Sequence, residues 1–178
     1  MIPGTHRLGP HTGSLVVRTY REGVAARAGH DLVLEVTRWE ATVTVAADPA
    51  ATSIELQADP RSLEVREALH GVKPLSDRDR AEIRKNIDEK ILRGQPISFR
   101  ATAVRPDDGG LVADGELAIA GSVRPMSVRL DVDPEGRVAA TVPLAQSDWG
   151  IRPYRGLMGA LKVRDEVEVV IDVRLQGD

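Results

Sequence analysis

Cysteine is absent from the 178 residues, which removes any disulfide framework, thiolate nucleophile or cysteine metal site. Aromatic residues are almost absent too. Tyr20, Trp39, Phe99, Trp149 and Tyr154 are all there are, so the core must be built from Val, Leu, Ile and Ala. No apolar run reaches the roughly 18 residues that a membrane-spanning helix needs. The opening stretch, Met1 to Pro10, lacks the continuous apolar segment of a secretory signal, which points to a cytoplasmic protein. A net charge of −3 argues against a nucleic-acid partner. His6, His11, His30 and His70 show no metal-ligand spacing. No Gly-x-Ser-x-Gly elbow and no glycine-rich phosphate loop occur. His30-Asp31 has the residue types of an acid–base pair, but neighbours in extended chain point apart, and Asp31 equally serves as a turn residue. No catalytic residue, metal or cofactor is expected.

What the chain does have is alternation. Ile97, Phe99, Ala101 and Ala103 alternate with Ser98, Arg100, Thr102 and Val104. A turn at Pro106 to Gly110 leads to Leu111, Ala113, Gly115, Leu117 and Ile119. A second turn at Gly121 to Pro125 leads to Met126, Val128, Leu130 and Val132. A period of two means strands with one buried face, and short Gly/Pro turns make these three an antiparallel meander. Further strands are predicted over 14–21, 32–46, 53–59, 138–144 and 163–175. In 32–46, Leu32, Leu34 and Val36 hold one phase while Trp39, Ala41, Val43 and Val45 hold the other. The slip at Thr37-Arg38 marks a bulge or sharp bend. Residues 61–75 show no clear period and read as a connection. Ser76 or Asp77 caps a helix running to about Arg93, with Ile83, Ile87 and Ile91 on a narrow apolar stripe and Gly94 and Pro96 ending it. So narrow a stripe suits a surface helix that closes one end of a β-structure. Its charges alternate in sign, as on a solvated face.

Eight antiparallel strands and one principal helix, in one domain spanning 1–178, suit a mainly β, up-and-down barrel whose closure removes unpaired edges. Barrels of this size either fill with side chains or hold one small ligand. Small residues at Ala58, Ala101, Ala103, Ala113, Gly115 and Ala140 favour an elongated apolar cavity. Abundant Leu, Ile and Val favour a filled core, and the pattern leaves both readings open.

Four segments then resemble one family. Gly115-Glu116-Leu117-Ala118-Ile119-Ala120-Gly121-Ser122-Val123-Arg124-Pro125-Met126-Ser127-Val128 is similar to the signature hairpin of YceI-like proteins. Ser147-Asp148-Trp149-Gly150-Ile151 resembles that family's Asp-aromatic-Gly-Ile turn. Pro96-Ile97-Ser98-Phe99 resembles its strand entry after the helix, and Val163 to Val169 its final strand. The four occur in family order across about 11–176. The resemblance implies an eight-stranded lipocalin-like barrel that binds a polyisoprenoid or similar chain, with no catalytic motif. Two segments, 22–31 and 61–75, depart from the family pattern and are expected to cover a barrel mouth.

The cavity lining expected on this reading is Val17, Leu34, Ile54, Leu56, Phe99, Ala101, Ala103, Leu117, Ile119, Met126, Val128, Val142, Val169 and Ile171. Trp149, Arg152, Tyr154, Arg155 and Met158, with Leu157 and Lys162 nearby, are either plugs that seal the core or a portal. In the portal reading, apolar groups meet the chain and a cation meets an anionic head group, for which arginine's bidentate geometry is suited. The expected function is non-catalytic binding of a long apolar molecule (an isoprenoid, a quinone tail or a fatty chain). A filled barrel acting as an interaction module, with a homodimer as one form, is the alternative. An enzyme using the barrel as a substrate pocket comes third, because few ionisable groups fall on the inward phases.

Overall fold

The computed structural model describes residues 3–175. Its strands are β1 (Gly4–Leu8), β2 (Gly13–Thr19), β3 (Arg21–Glu22), β4 (Asp31–Val36), β5 (Trp39–Val45), β6 (Ser53–Ala58) and β7 (Leu63–Leu69). After the helix come β8 (Ile97–Asp107), β9 (Gly110–Ile119), β10 (Ser122–Val132), β11 (Arg137–Ala145), β12 (Arg155–Gly156), β13 (Leu161–Val163) and β14 (Glu166–Arg174). The main sheet runs β1-β5-β6-β8-β9-β10-β11-β14-β2-β4-β7, every determined pair antiparallel. The two ends of that order are halves of one bent hairpin, since β4 runs into β5 and β6 into β7. One half pairs with β2 and the other with β8, so the sheet curls back on itself.

The bend is the phase slip at Thr37-Arg38. Thr37 donates from both its backbone N–H and its hydroxyl to Ser62 O, at 2.9 and 3.0 Å. Asp59 N–H donates to Arg38 O at 3.0 Å. The Ser62 hydroxyl lies 2.8 Å from Asp59 O and 3.2 Å from Arg38 O, and Ser62 is only 1% exposed. The Arg38 guanidinium grips the Asp59 carboxylate from outside. A strand that turns this sharply gives up ladder bonds, and these contacts replace them.

Residues 61–75 are not a plain connection. Leu63–Leu69 forms β7, and its period is hidden because the register shifts opposite Val33/Leu34, leaving Arg66 as an extra residue. A second bulge corrects the β8 reading. Ala101 pairs with Gly115 and Ala103 with Asp114, so Thr102 is extra and the inward phase passes to Val104, 2% exposed. Ala103 therefore faces solvent, while Ala101 packs against the core cluster around Val104 and Val128.

The helix α1 (Asp77–Asn86) starts with a capping box. The Ser76 hydroxyl accepts from Asp79 N–H, and the Asp79 carboxylate accepts from Ser76 N–H at 2.8 Å. A π-helical turn, Ile87–Leu92, continues it until Arg93 turns left-handed at φ 57°. Arg80 donates to Val65 O in β7 at 2.8 Å, and Arg93 donates to Ala120 O at the tip of the β9–β10 hairpin at 2.6 Å. The helix thus bridges the opening left where β7 has no partner beyond β4, and closes that end of the barrel.

Replacing Ser62 with Ala is expected to lower the unfolding free energy by about 0.5–1.5 kcal/mol in chemical denaturation, because the corner loses the hydroxyl hydrogen bond while both carbonyls keep a backbone donor. Ser53→Ala on the exposed face of β6 is expected to change it by less than about 0.5 kcal/mol.

Candidate functional site

The barrel is not filled. It encloses a cavity of about 970 Å³, lined by side chains from β2, β4 through β11 and β14 together with the helix. Register explains how the lining is built. Leu34, Val17, Val169 and Val142 lie side by side across β4, β2, β14 and β11. Leu56, Phe99 and Leu117 lie side by side across β6, β8 and β9 on another part of the wall. Directly opposed residues of antiparallel strands share a face, so each row is a band of apolar surface. Val17, Ile54, Leu56, Phe99, Leu117, Ile119, Met126, Val169 and Ile171 remain only half-buried although they point inward, because what they face is empty space. Leu34, Val128 and Val142 complete the predicted lining that reaches the cavity. Ala101 and Ala103 do not reach it, for the bulge at Thr102 given above.

Several liners were missed from sequence. Leu32, Val36, Trp39, Ala41 and Val43 all face the cavity, since the corner at Thr37-Arg38 turns both phases inward. Ile83, Ile87 and Ile91 line it from the helix, and the narrow apolar stripe was their signal.

Ionisable groups gather at one end. Arg21, Lys73 and Lys162 lie there with His30, and Asp79 and Glu82 line it from the helix. His30 Nε2 lies 2.7 Å from Lys73 O, tying the 70–75 loop to the 23–30 loop. Gly71 makes that approach possible: it has φ 75°, and a Cβ there would lie 2.3 Å from His30 Nε2. Asp31 accepts from Arg21 N–H at 2.8 Å and pairs with His70 at 3.5 Å, so it orders the loop. His30 and Asp31 engage different partners, as expected for adjacent residues. Among the described residues, no group of His, Asp and Glu could hold a metal ion.

The 146–163 segment divides into plug and rim. Trp149 and Ile151 are buried, and the indole N–H donates to Leu117 O at 2.9 Å, so Trp149 seals the core and does not face the cavity. Arg152, Arg155 and Met158 are exposed and lie outside the lining. Tyr154 and Lys162 do line it. β12, β13 and β3 form a small second sheet that joins this segment to the 23–30 loop. Below it, Tyr20 O–H donates to Glu168 at 2.5 Å, and the Arg164 guanidinium sits 5.8 Å from the ring centroid. The bond to Glu168, aided by burial, raises the Tyr20 pKa above its ordinary value.

A single antiparallel sheet curled around one mostly apolar cavity, bridged by a helix and charged mainly at its mouth, defines a lipocalin-like barrel. The YceI-like domain model matches residues 15–175, and the chain belongs to that family. Burkholderia cenocepacia BcnA has a similar structure, with a TM-score of 0.69 and 14% identity over 92% of this chain and 96% of that one. A Campylobacter jejuni YCEI protein is also similar, with a TM-score of 0.58 and 10% identity over 79% of this chain and 82% of that one. At these identities the likeness is one of fold. No curated protein matches the sequence. No helix among the described residues is long and apolar enough to cross a membrane.

Trp149→Phe is expected to cost about 1–3 kcal/mol in thermal or chemical unfolding, since the indole N–H bond to the half-buried Leu117 carbonyl is lost and the pocket is underfilled. The Tyr20–Glu168 bond predicts an alkaline effect. A raised pKa means its stabilisation is complete below the ordinary tyrosine value near 10 and is lost as pH rises through the higher folded value. Stability should therefore fall more steeply above pH ~10 in the native chain than in Tyr20→Phe, as read from denaturant midpoints against pH.

Proposed function

We propose that the chain binds one long apolar molecule inside the barrel and carries it without chemical change. The observation that supports this reading most directly is the cavity of about 970 Å³, whose wall is mostly apolar and whose charged groups gather at one end. Volume limits the cargo. If a chain carbon occupies about the 30 Å³ share of a liquid water molecule, the cavity accommodates roughly thirty non-hydrogen atoms. That matches an isoprenoid of about six units, a quinone tail of similar length or a long fatty chain. Each buried methylene contributes about 0.8 kcal/mol, so the chain itself supplies the main driving force. The cargo's polar end would lie at the mouth, near Lys73 and Lys162. Lys162 is the one cation of the expected portal that lines the cavity. The ionisable groups stand at the rim, away from the aliphatic interior, which favours holding over catalysis.

The test is extraction of the protein purified from its own host, followed by mass spectrometry and by titration with fluorescent prenyl and fatty chains. A stoichiometric apolar molecule of about thirty heavy atoms is expected. A clean extract combined with no uptake of any chain would overturn the proposal. Val169→Trp, which places an indole among Val17, Val142 and the empty space, should weaken uptake at least about tenfold with circular dichroism unchanged.

A further inference from the structure

The four large apolar side chains most exposed to solvent lie at one place, apart from Val123 at 59% on the β9–β10 hairpin. Val24 is 97% exposed, Val72 74%, Leu157 61% and Met158 107%. They belong to three loops that touch one another. Ala25 N–H donates to Ala160 O at 2.9 Å, joining the first loop to the third, and the His30–Lys73 contact joins the first to the second. All three loops line the cavity, through Gly29, Lys73 and Leu161 among others, so together they are the rim of its mouth. Leu157 and Met158 both hold left-handed backbone, at φ 47° and 54°. That conformation is unfavourable for these side chains, and here it presents both of them outward.

Charge on the same loops is one-sided. Segments 23–30, 70–75 and 152–164 carry Arg27, Lys73, Arg152, Arg155, Lys162 and Arg164 and no aspartate or glutamate, in a chain whose net charge is −3. None of these six cations forms an ion pair among the described residues. The acidic side of the mouth is the helix, where Asp79 is held in the capping box. Exposed apolar tips ringed by unpaired cations are complementary to an anionic lipid surface, where the tips enter the acyl boundary and the cations meet the head groups.

We infer that the loops 23–30, 70–75 and 152–164 dock the barrel mouth onto an anionic bilayer, so that cargo passes between membrane and cavity without crossing water. This rests on the proposed cargo. A chain of that length leaves a membrane slowly by itself, because each methylene exposed to water is costly.

The test is flotation of the full chain with phosphatidylglycerol vesicles and with phosphatidylcholine vesicles, beside uptake of a monomeric fluorescent fatty acid from lipid-free solution. The native chain should float with the anionic vesicles and be released by high salt. The double variant Val24→Glu/Met158→Glu changes only exposed side chains that lie outside the cavity lining. It should bind those vesicles at least about tenfold more weakly while taking up fatty acid from solution as the native chain does. Absence of native binding to anionic vesicles, or binding that the variant keeps, overturns the docking and turns the face towards a protein partner. Failure of solution uptake by both chains, with vesicle binding still lost only in the variant, supports the docking and overturns the cargo reading alone.

Discussion

The corner at Thr37, Arg38, Asp59 and Ser62 is the constraint on which the barrel depends. Two strands must serve two walls, pairing with β2 along one half and with β8 along the other. Without the bend, the sheet would be an open ribbon with an apolar face and two bare edges. The bend works because Ser62 is small enough to be fully enclosed and polar enough to satisfy two carbonyls. A larger side chain would separate the halves, and an apolar one would leave the two carbonyls with their backbone donors alone. Closure then fixes the rest. The wall acquires a diameter that aliphatic side chains do not span, and scarcity of aromatics leaves the interior empty.

Much of this was legible in the sequence. The meander of β8, β9 and β10 follows from alternation, because a half-buried strand imposes it. The corner was legible as a change of phase, although its consequence was not: both phases of β4 and β5 turn inward. What stayed hidden has local causes. β7 carries charge at Glu64, Arg66 and Glu67, and Arg66 is an extra residue, so no period survives. At Thr102 a single inserted residue reverses Ala103, and short small-residue stretches give no warning of a bulge. The space inside was beyond reach altogether, since alternation states which way a side chain points and not how far the opposite wall lies.

The site divides in the same manner. Family resemblance placed Trp149 correctly in a turn before the last strand, but a tryptophan beside arginines suits a portal and a plug equally. Only the indole bond to Leu117 O decides for the plug. The cations that do rim the mouth come from segments far apart in sequence. Arg21, Lys73 and Lys162 are brought together by the small sheet of β3, β12 and β13 and by the His30–Lys73 contact. No linear motif could announce them.

The two tryptophans have opposite situations, and this gives the molecule an optical property. Trp39 forms part of the cavity wall, whereas Trp149 is sealed behind the β9–β10 hairpin with its N–H engaged. Emission from the first indole depends on whether water or hydrocarbon stands before it, and emission from the second does not. Occupied and empty barrels would therefore differ in the colour of one chromophore against the fixed signal of the other, an internal reference that needs no added dye.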